Sequence, residues 1–225
     1  MTDHKLIDYY RARASEYEQI YYRDVPDRRK EIDEEADHLR QLVKDRHVLE
    51  LACGTGYWTE IMAETAASIV ASDVSPEMIA EAKKKNLRGK VSFVRSDLNR
   101  SAFAKDTFDF IALGFWFSHH PRQHHGALFG TLLALLKEGC PAWLIDNNPP
   151  AEGPAVESVH TDKHGNNFKH RFLDNGAEHT ILKNYFTKDQ LCSIFTPHFQ
   201  IERLTHNKYY WSAVLSGINA TGAST

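Results

Sequence analysis

Residues 48–58, VLELACGTGYW, constrain this chain more than any other stretch. Three apolar residues, Val48, Leu49 and Leu51, alternate around one acid, Glu50, and run into Gly54-Thr55-Gly56, beyond which a helix-compatible stretch begins. That is a strand, a tight glycine turn and a helix start with no spacer between them. Glycine has no Cβ and tolerates positive φ, so such a turn lets backbone approach a ligand closely, while the new helix presents unpaired N–H groups. Open α/β sheets hold nucleotide-like cofactors in this way at the carboxyl end of the first strand. A pyrophosphate is disfavoured, because the fingerprint G-x-G-x-x-G calls for a small residue at position 59, where Thr59 follows the bulky Tyr57 and Trp58.

The chain around this turn alternates between strand and helix, the pattern of a doubly wound sheet. Apolar runs at 68–73, 91–95, 107–114 and 139–147 read as strands. Helices are expected at 28–44, 59–67, 78–87, 126–137 and 187–195, and a closing antiparallel pair at 199–204 and 209–215. Residues 4–22, with aromatic positions at Tyr10, Tyr17 and Tyr21, fit an amphipathic helix that either packs on the sheet or acts as a lid. In the second case Tyr9, Arg13 and Tyr17 bring hydroxyls and a guanidinium fork suited to a carboxylate.

Asp73 stands at the carboxyl end of the second strand, where an acid can accept both hydroxyls of a ribose. It could instead cap the next helix, but Ser75 ahead of Pro76 already makes a good cap, which would leave Asp73 for a ligand. Asp97, just past the third strand, is placed to accept from an adenine amino group, with the Leu98 N–H offered to the ring, or is an exposed turn residue. Phe115, Trp116, Phe117, Ser118, His119, His120 and Pro121 follow the fourth strand, at the edge where an acceptor would sit. Residues 148–186 are polar and rich in proline, glycine and asparagine, and read as an inserted substrate cap with a hairpin near Asp174-Asn175-Gly176.

A length of 225 residues fits one domain, 1–225, with a helical lid over 1–45 and the cap over 148–186. The formal charge of -3 argues against a phosphate-backbone partner, so no nucleic acid is expected. No apolar run approaches the length of a membrane span or a signal-peptide core, so no membrane partner and a cytoplasmic location are expected. Cys53, Cys140 and Cys192 are scattered and odd in number, suggesting neither a disulfide framework nor a metal site. Oligomeric state is not legible in the sequence.

Taken in order, the E-x-x-C-G-T-G turn, the acid after strand two, the acid after strand three and the aromatic segment after strand four resemble the class I S-adenosylmethionine-dependent methyltransferases. The small bacterial branch is the nearest in pattern, with YYRARASEY ahead of the glycine turn and an SHxP-like segment at 118–121. The resemblance covers roughly residues 1–147. It implies a Rossmann-like sheet of seven strands with the last antiparallel, S-adenosyl-L-methionine as cofactor and direct transfer of its methyl group to a small-molecule acceptor. By the same resemblance Glu50, Ala52, Gly54 and Gly56 hold the methionine part, Asp73 the ribose, and Met78 packs on the adenine beside Asp97 and Leu98. Gly114 lets strand four approach the amino group, and Arg13 with Tyr17 closes on the carboxylate. Tyr9, Phe115, Trp116 and Phe117 then line the acceptor's place, and His119 or His120 either serves as base or shapes the pocket.

Two other readings are weaker. Asn148-Pro149-Pro150 resembles an N-P-P-aromatic nucleic-acid amine methyltransferase motif, but it follows strand five and Ala151 replaces the aromatic. A nicotinamide oxidoreductase lacks its third glycine and a Tyr-x-x-x-Lys-like pair. A cofactor-binding protein without turnover stays open on sequence alone.

Overall fold

The computed structural model describes residues 25–85, 87, 89–98, 103–149, 160–172 and 178–217. The expected lid helix, and with it Tyr9, Arg13 and Tyr17, lies outside the described residues, as does the hairpin tip at Asp174-Asn175-Gly176. The first described helix, α1 (Pro26–Leu42), begins with proline at its first turn, where the missing N–H has no intrahelical partner to lose. It buries Ile32, Glu35, Ala36 and Leu39, so this part of the expected lid is a packed layer of the core.

The chain then runs β1 (His47–Leu51), α2 (Tyr57–Met62), β2 (Ser68–Asp73), α3 (Pro76–Ala82), β3 (Val91–Arg95) and β4 (Phe110–Gly114). There follow α4 (His125–Leu135), β5 (Pro141–Asn147), β6 (His160–Thr161), β7 (Asn167–Phe172), β8 (Glu178–Leu182), α5 (Lys188–Phe195), β9 (Phe199–His206) and β10 (Tyr210–Gly217). Seven strands form one sheet in the order β3-β2-β1-β4-β5-β10-β9. β1 to β5 are parallel, and β10 runs antiparallel to both β5 and β9. This is the Rossmann-like doubly wound sheet with its final strand reversed. The strand order turns back between β1 and β4, and in such sheets the ligand crevice opens at that point above the carboxyl ends.

Period-two alternation explains the two cores. Leu49, Leu51, Ile111 and Leu113 face one way, onto Phe117, Phe129 and Phe195. Val48, Phe110 and Ala112 face the other, onto Ile32, Leu39, Trp58 and Trp143. The central strands are buried on both faces, which is why they read as near-continuous apolar runs.

Three expectations need correction. The helix expected at 59–67 is shorter and earlier, ending at Met62, and the one expected at 78–87 spans Pro76–Ala82. The segment 148–186 holds more than a loop with one hairpin: β6, β7 and β8 form a separate antiparallel sheet. Its alternation was hidden because a buried position of β7 carries Lys169 where an apolar residue would mark a strand. No helix among the described residues is long and apolar enough to cross a membrane.

Candidate functional site

The glycine turn is built from backbone that ordinary residues avoid. Ala52, Gly54 and Gly56 all have positive φ, at 52°, 55° and 82°. Gly56 has no alternative, since a Cβ there would lie 2.9 Å from the Ala82 Cβ of α3. Over Gly54 a Cβ would meet nothing within 4 Å, so the turn leaves open space on its outer side. Phe115, the residue after β4, also has positive φ, at 55°. Strained non-glycine residues thus follow both strands at the switch point, and such strain concentrates where a ligand is gripped.

Asp73 ties the turn to the end of β2. Its Oδ2 accepts the Gly54 N–H at 2.9 Å and its Oδ1 the Ser75 N–H at 2.8 Å. Ser75 does cap α3, accepting the Met78 N–H at 3.2 Å, but Asp73 is not thereby left idle. Both oxygens accept backbone N–H groups, and a carboxylate has about four lone-pair directions, so acceptor capacity remains. Burial raises its pKa against the lowering by the Ser75, Gly54 and Val74 amides.

Glu50 lies beneath the turn, buried, and accepts the Thr59 hydroxyl of α2. Burial pushes its carboxyl up to about 8, with the Thr59 bond opposing and the Asp73 charge adding. The folded value is above the unfolded one, so stability falls as pH rises from the unfolded pKa towards about 8. Glu50→Gln removes that ionisation. Compared in urea melts between pH 5 and 8, the variant should gain on the wild type by up to about 1.4 kcal/mol per pH unit; parallel pH profiles would show that Glu50 ionises freely.

The β4 edge differs from expectation in two places. Gly114 accommodates a neighbour within the protein: a Cβ there would stand 2.5 Å from Trp58 Cδ1, whose indole packs on Phe115 and Trp143. Phe117 is wholly buried among Phe129, Phe186, Phe195 and Trp211, so it is a core residue with no surface for a substrate. Phe115 and Trp116 remain at the edge. Phe115 packs on Tyr210, whose hydroxyl accepts the Arg28 Nε–H at 2.7 Å, and Trp116 stacks on His120 at 4.8 Å.

The two histidines are distinct. His119 Nδ1 lies 2.6 Å from the Leu182 carbonyl. A carbonyl only accepts, so Nδ1 carries the hydrogen and Nε2 is the basic nitrogen of the neutral ring. His120 lies 3.2 Å from the His124 carbonyl through Nε2, and burial pushes its pKa down to about 4. His125 beside it, stacked on Phe117, is lowered to about 3, by burial first and then by His120. These two stay neutral near pH 7.

A buried charged network joins this edge to the small sheet. Asp146 of β5 accepts the Ser118 N–H at 2.8 Å through Oδ2. Its Oδ1 accepts the Asn147 N–H at 2.8 Å and the Lys183 ammonium at 3.1 Å. Lys183 also donates to Ser118 Oγ at 2.6 Å. Burial raises the Asp146 pKa, yet Lys183, His119 and the two amides together hold it below the usual carboxylate value. None of these roles was legible in sequence, because a lysine in a polar stretch gives no sign of being buried.

The remaining candidates lie around the same edge. Met78 is buried at the start of α3, Asp97 is half-buried past β3, and the Leu98 side chain joins the core. Whether the crevice suits a polar cofactor can be judged from its orphaned groups. Thr55 Oγ1 and Trp58 Nε1 are buried without a hydrogen-bond partner in the protein, one in the turn and one against Gly114. Such groups are costly unless a ligand satisfies them. With the open space over Gly54 and the spare lone pairs of Asp73, they fit an adenosyl cofactor with a polar amino-acid end.

Known proteins agree with this geometry. The family model for a methyltransferase domain matches residues 48–139, from β1 to just before β5. The chain is 23% identical over 168 residues to a demethylmenaquinone methyltransferase of Lactiplantibacillus plantarum, covering 68% of this chain and 70% of that protein. It is 40% identical over 67 residues to a magnesium-protoporphyrin O-methyltransferase of Rhodobacter capsulatus, covering 28% and 29%. Matches to other curated relatives likewise span less than half of their lengths. The solved DhpI-SAM-HEP complex superposes with a TM-score of 0.77 at 26% identity, over 96% of this chain and 99% of that one. Strand order, glycine turn and relatives point the same way: the chain carries a methyltransferase domain on the seven-stranded Rossmann-like sheet of S-adenosylmethionine-dependent enzymes, and S-adenosylmethionine is its cofactor.

Proposed function

We propose that the enzyme methylates a small-molecule acceptor enclosed between the β4 edge and the small sheet, as a cytoplasmic protein with no nucleic-acid partner. The observation that carries this reading is the junction of sheet and cap. Asn184 donates its N–H to the Ser118 carbonyl at 2.8 Å, and Lys183 reaches Asp146, so the end of β8 is fastened at the carboxyl ends of β4 and β5. A cap bonded this closely suits a compact acceptor better than a polymer. The names of two relatives, a demethylmenaquinone methyltransferase and a magnesium-protoporphyrin O-methyltransferase, support the same class.

In this reading Ala52, Gly54, Thr55 and Gly56 hold the methionine end, and Asp73 takes the ribose hydroxyls. Met78, Asp97 and Leu98 border the adenine, while Glu50 supports the turn from below through Thr59. When bound, S-adenosylmethionine supplies a sulfonium methyl that is already electrophilic, so the protein acts by alignment and exclusion of water. Phe115 and Trp116 wall the acceptor. His119 is the base, its tautomer set by the Leu182 carbonyl so that Nε2 takes the acceptor's proton. His120 is too weakly basic for that task and shapes the wall beside Trp116.

The first test is calorimetry with S-adenosylhomocysteine, followed by a metabolite screen for its release from S-adenosylmethionine. Absence of binding at high micromolar concentration would sink the reading. Once an acceptor is known, His119→Gln should lower kcat about a hundred-fold and remove an ionisation from the pH profile of kcat; an unaltered rate and profile leave His119 a structural residue.

A further inference from the structure

Residues at the end of β8 meet the turn after β4 at several points. The Asn184 N–H donates to the Ser118 carbonyl at 2.8 Å, and its side-chain amide donates to the His120 carbonyl at 3.4 Å. The Lys183 ammonium donates to Ser118 Oγ at 2.6 Å, and between these ties His119 Nδ1 lies 2.6 Å from the Leu182 carbonyl. Asp146 of β5 closes the junction from the sheet side, accepting the Ser118 N–H at 2.8 Å and the Lys183 ammonium at 3.1 Å. Every polar atom of Ser118 is therefore bonded, each to a different residue. Ser118, Asn184 and Asp146 are wholly buried.

One bond at Nδ1 selects the tautomer of His119 only while the Leu182 carbonyl keeps its place, and a ring held by one bond can still turn about its side-chain torsions. That carbonyl belongs to the residue before Lys183, and the ring to the residue after Ser118. The Lys183–Ser118 bond thus joins the immediate neighbours of the ring and of its acceptor, and Asp146 holds both to the end of β5. A buried ion pair is weak evidence for stability, since apolar residues of similar volume can often replace it, whereas a charged hydrogen bond has a direction that apolar contact lacks. Direction matters for a base, because a displacement of about 1 Å can cost about a hundred-fold in rate. We infer that Lys183 and Ser118, anchored by Asp146, are positioning residues for His119: they fix its tautomer and the direction of its Nε2. This rests on the proposed reading of His119 as the base, and names what keeps that base aligned.

The test uses the full chain carrying isotope-labelled histidine, free and with saturating S-adenosylhomocysteine. Long-range proton–nitrogen NMR spectra at about pH 8 report the tautomer of each neutral ring, and His119→Gln identifies the His119 signals by their loss. The wild type should hold the His119 hydrogen on Nδ1. Ser118→Ala, which deletes only the hydroxyl, and Asp146→Leu/Lys183→Met, which removes both charges, should each raise the Nε2–H tautomer to about a tenth of the ring or more, with urea melts confirming the fold. Ser118→Ala decides alone if the double variant does not fold. A wild-type ring with its hydrogen on Nε2, or a His119 tautomer unchanged in the folded variants, would overturn the inference. So would an equal change at His206, whose Nε2 lies 3.0 Å from the Phe186 carbonyl, because that marks general loosening. The proposed function fails separately: turnover unaltered in His119→Gln strikes the base and leaves the placement of the ring standing.

Discussion

Asp146→Ala is expected to cost the folded state about 3–5 kcal/mol, the usual consequence of leaving one member of a buried ion pair without its partner. Asp146 is wholly buried and receives two backbone N–H groups and the Asn147 side-chain amide besides the Lys183 ammonium, so the truncation strands four donors at once. Urea unfolding read by tryptophan fluorescence checks the loss, and removing both charges in Asp146→Leu/Lys183→Met should recover a good part of it. A midpoint unchanged by Asp146→Ala would mean that Lys183 escapes to water. The pH dependence has a definite sign. The folded pKa of Asp146 is depressed, so the stability it contributes is present above the unfolded value and lost as pH falls through the folded one. The gap between wild type and Asp146→Ala should therefore narrow in acid.

Asp73→Ala should weaken S-adenosylhomocysteine binding by about 3–5 kcal/mol, the combined loss of two charge-assisted bonds to the ribose. The structure enlarges the effect beyond direct contact, because Asp73 also holds the Gly54 amide and hence the shape of the turn. Asp73→Asn keeps an acceptor for one amide and should fall between the two. Calorimetry with S-adenosylhomocysteine decides it; an unchanged dissociation constant would remove Asp73 from the site. A melt of the unliganded variant separates collapse of the turn from loss of the ribose contact, since only collapse lowers the midpoint strongly.

Much of the fold could be read without coordinates. β2 and β3 match the expected 68–73 and 91–95, because β-branched and apolar residues bounded by polar ones mark a strand both inside the sheet, like β2, and at its more exposed edge, like β3. The cap at Ser75 and the closing antiparallel pair were equally local signals. Phe117 was misjudged because an aromatic beside the ligand edge and an aromatic pointing into the core look alike in sequence; a single turn of 3₁₀ helix after β4 sends Phe117 inward. The missing side chain of Gly114 also makes room for Trp58, fifty-six residues earlier, a contact that no local pattern reports.

Sequence by itself determined the sheet architecture and the identity of the cofactor, because alternation of apolar runs, glycines at a turn and an acid after a strand act over a few residues. Tertiary structure alone decided the buried network beside the β4 and β5 ends. Lys183, Asp146, Ser118 and His119 come from three separated stretches, and only the packing of the small sheet on those ends brings them together. The physical reason is burial: a lysine or an aspartate announces a solvated surface in sequence, and becomes a specific, strongly interacting charge only when folding removes the water around it.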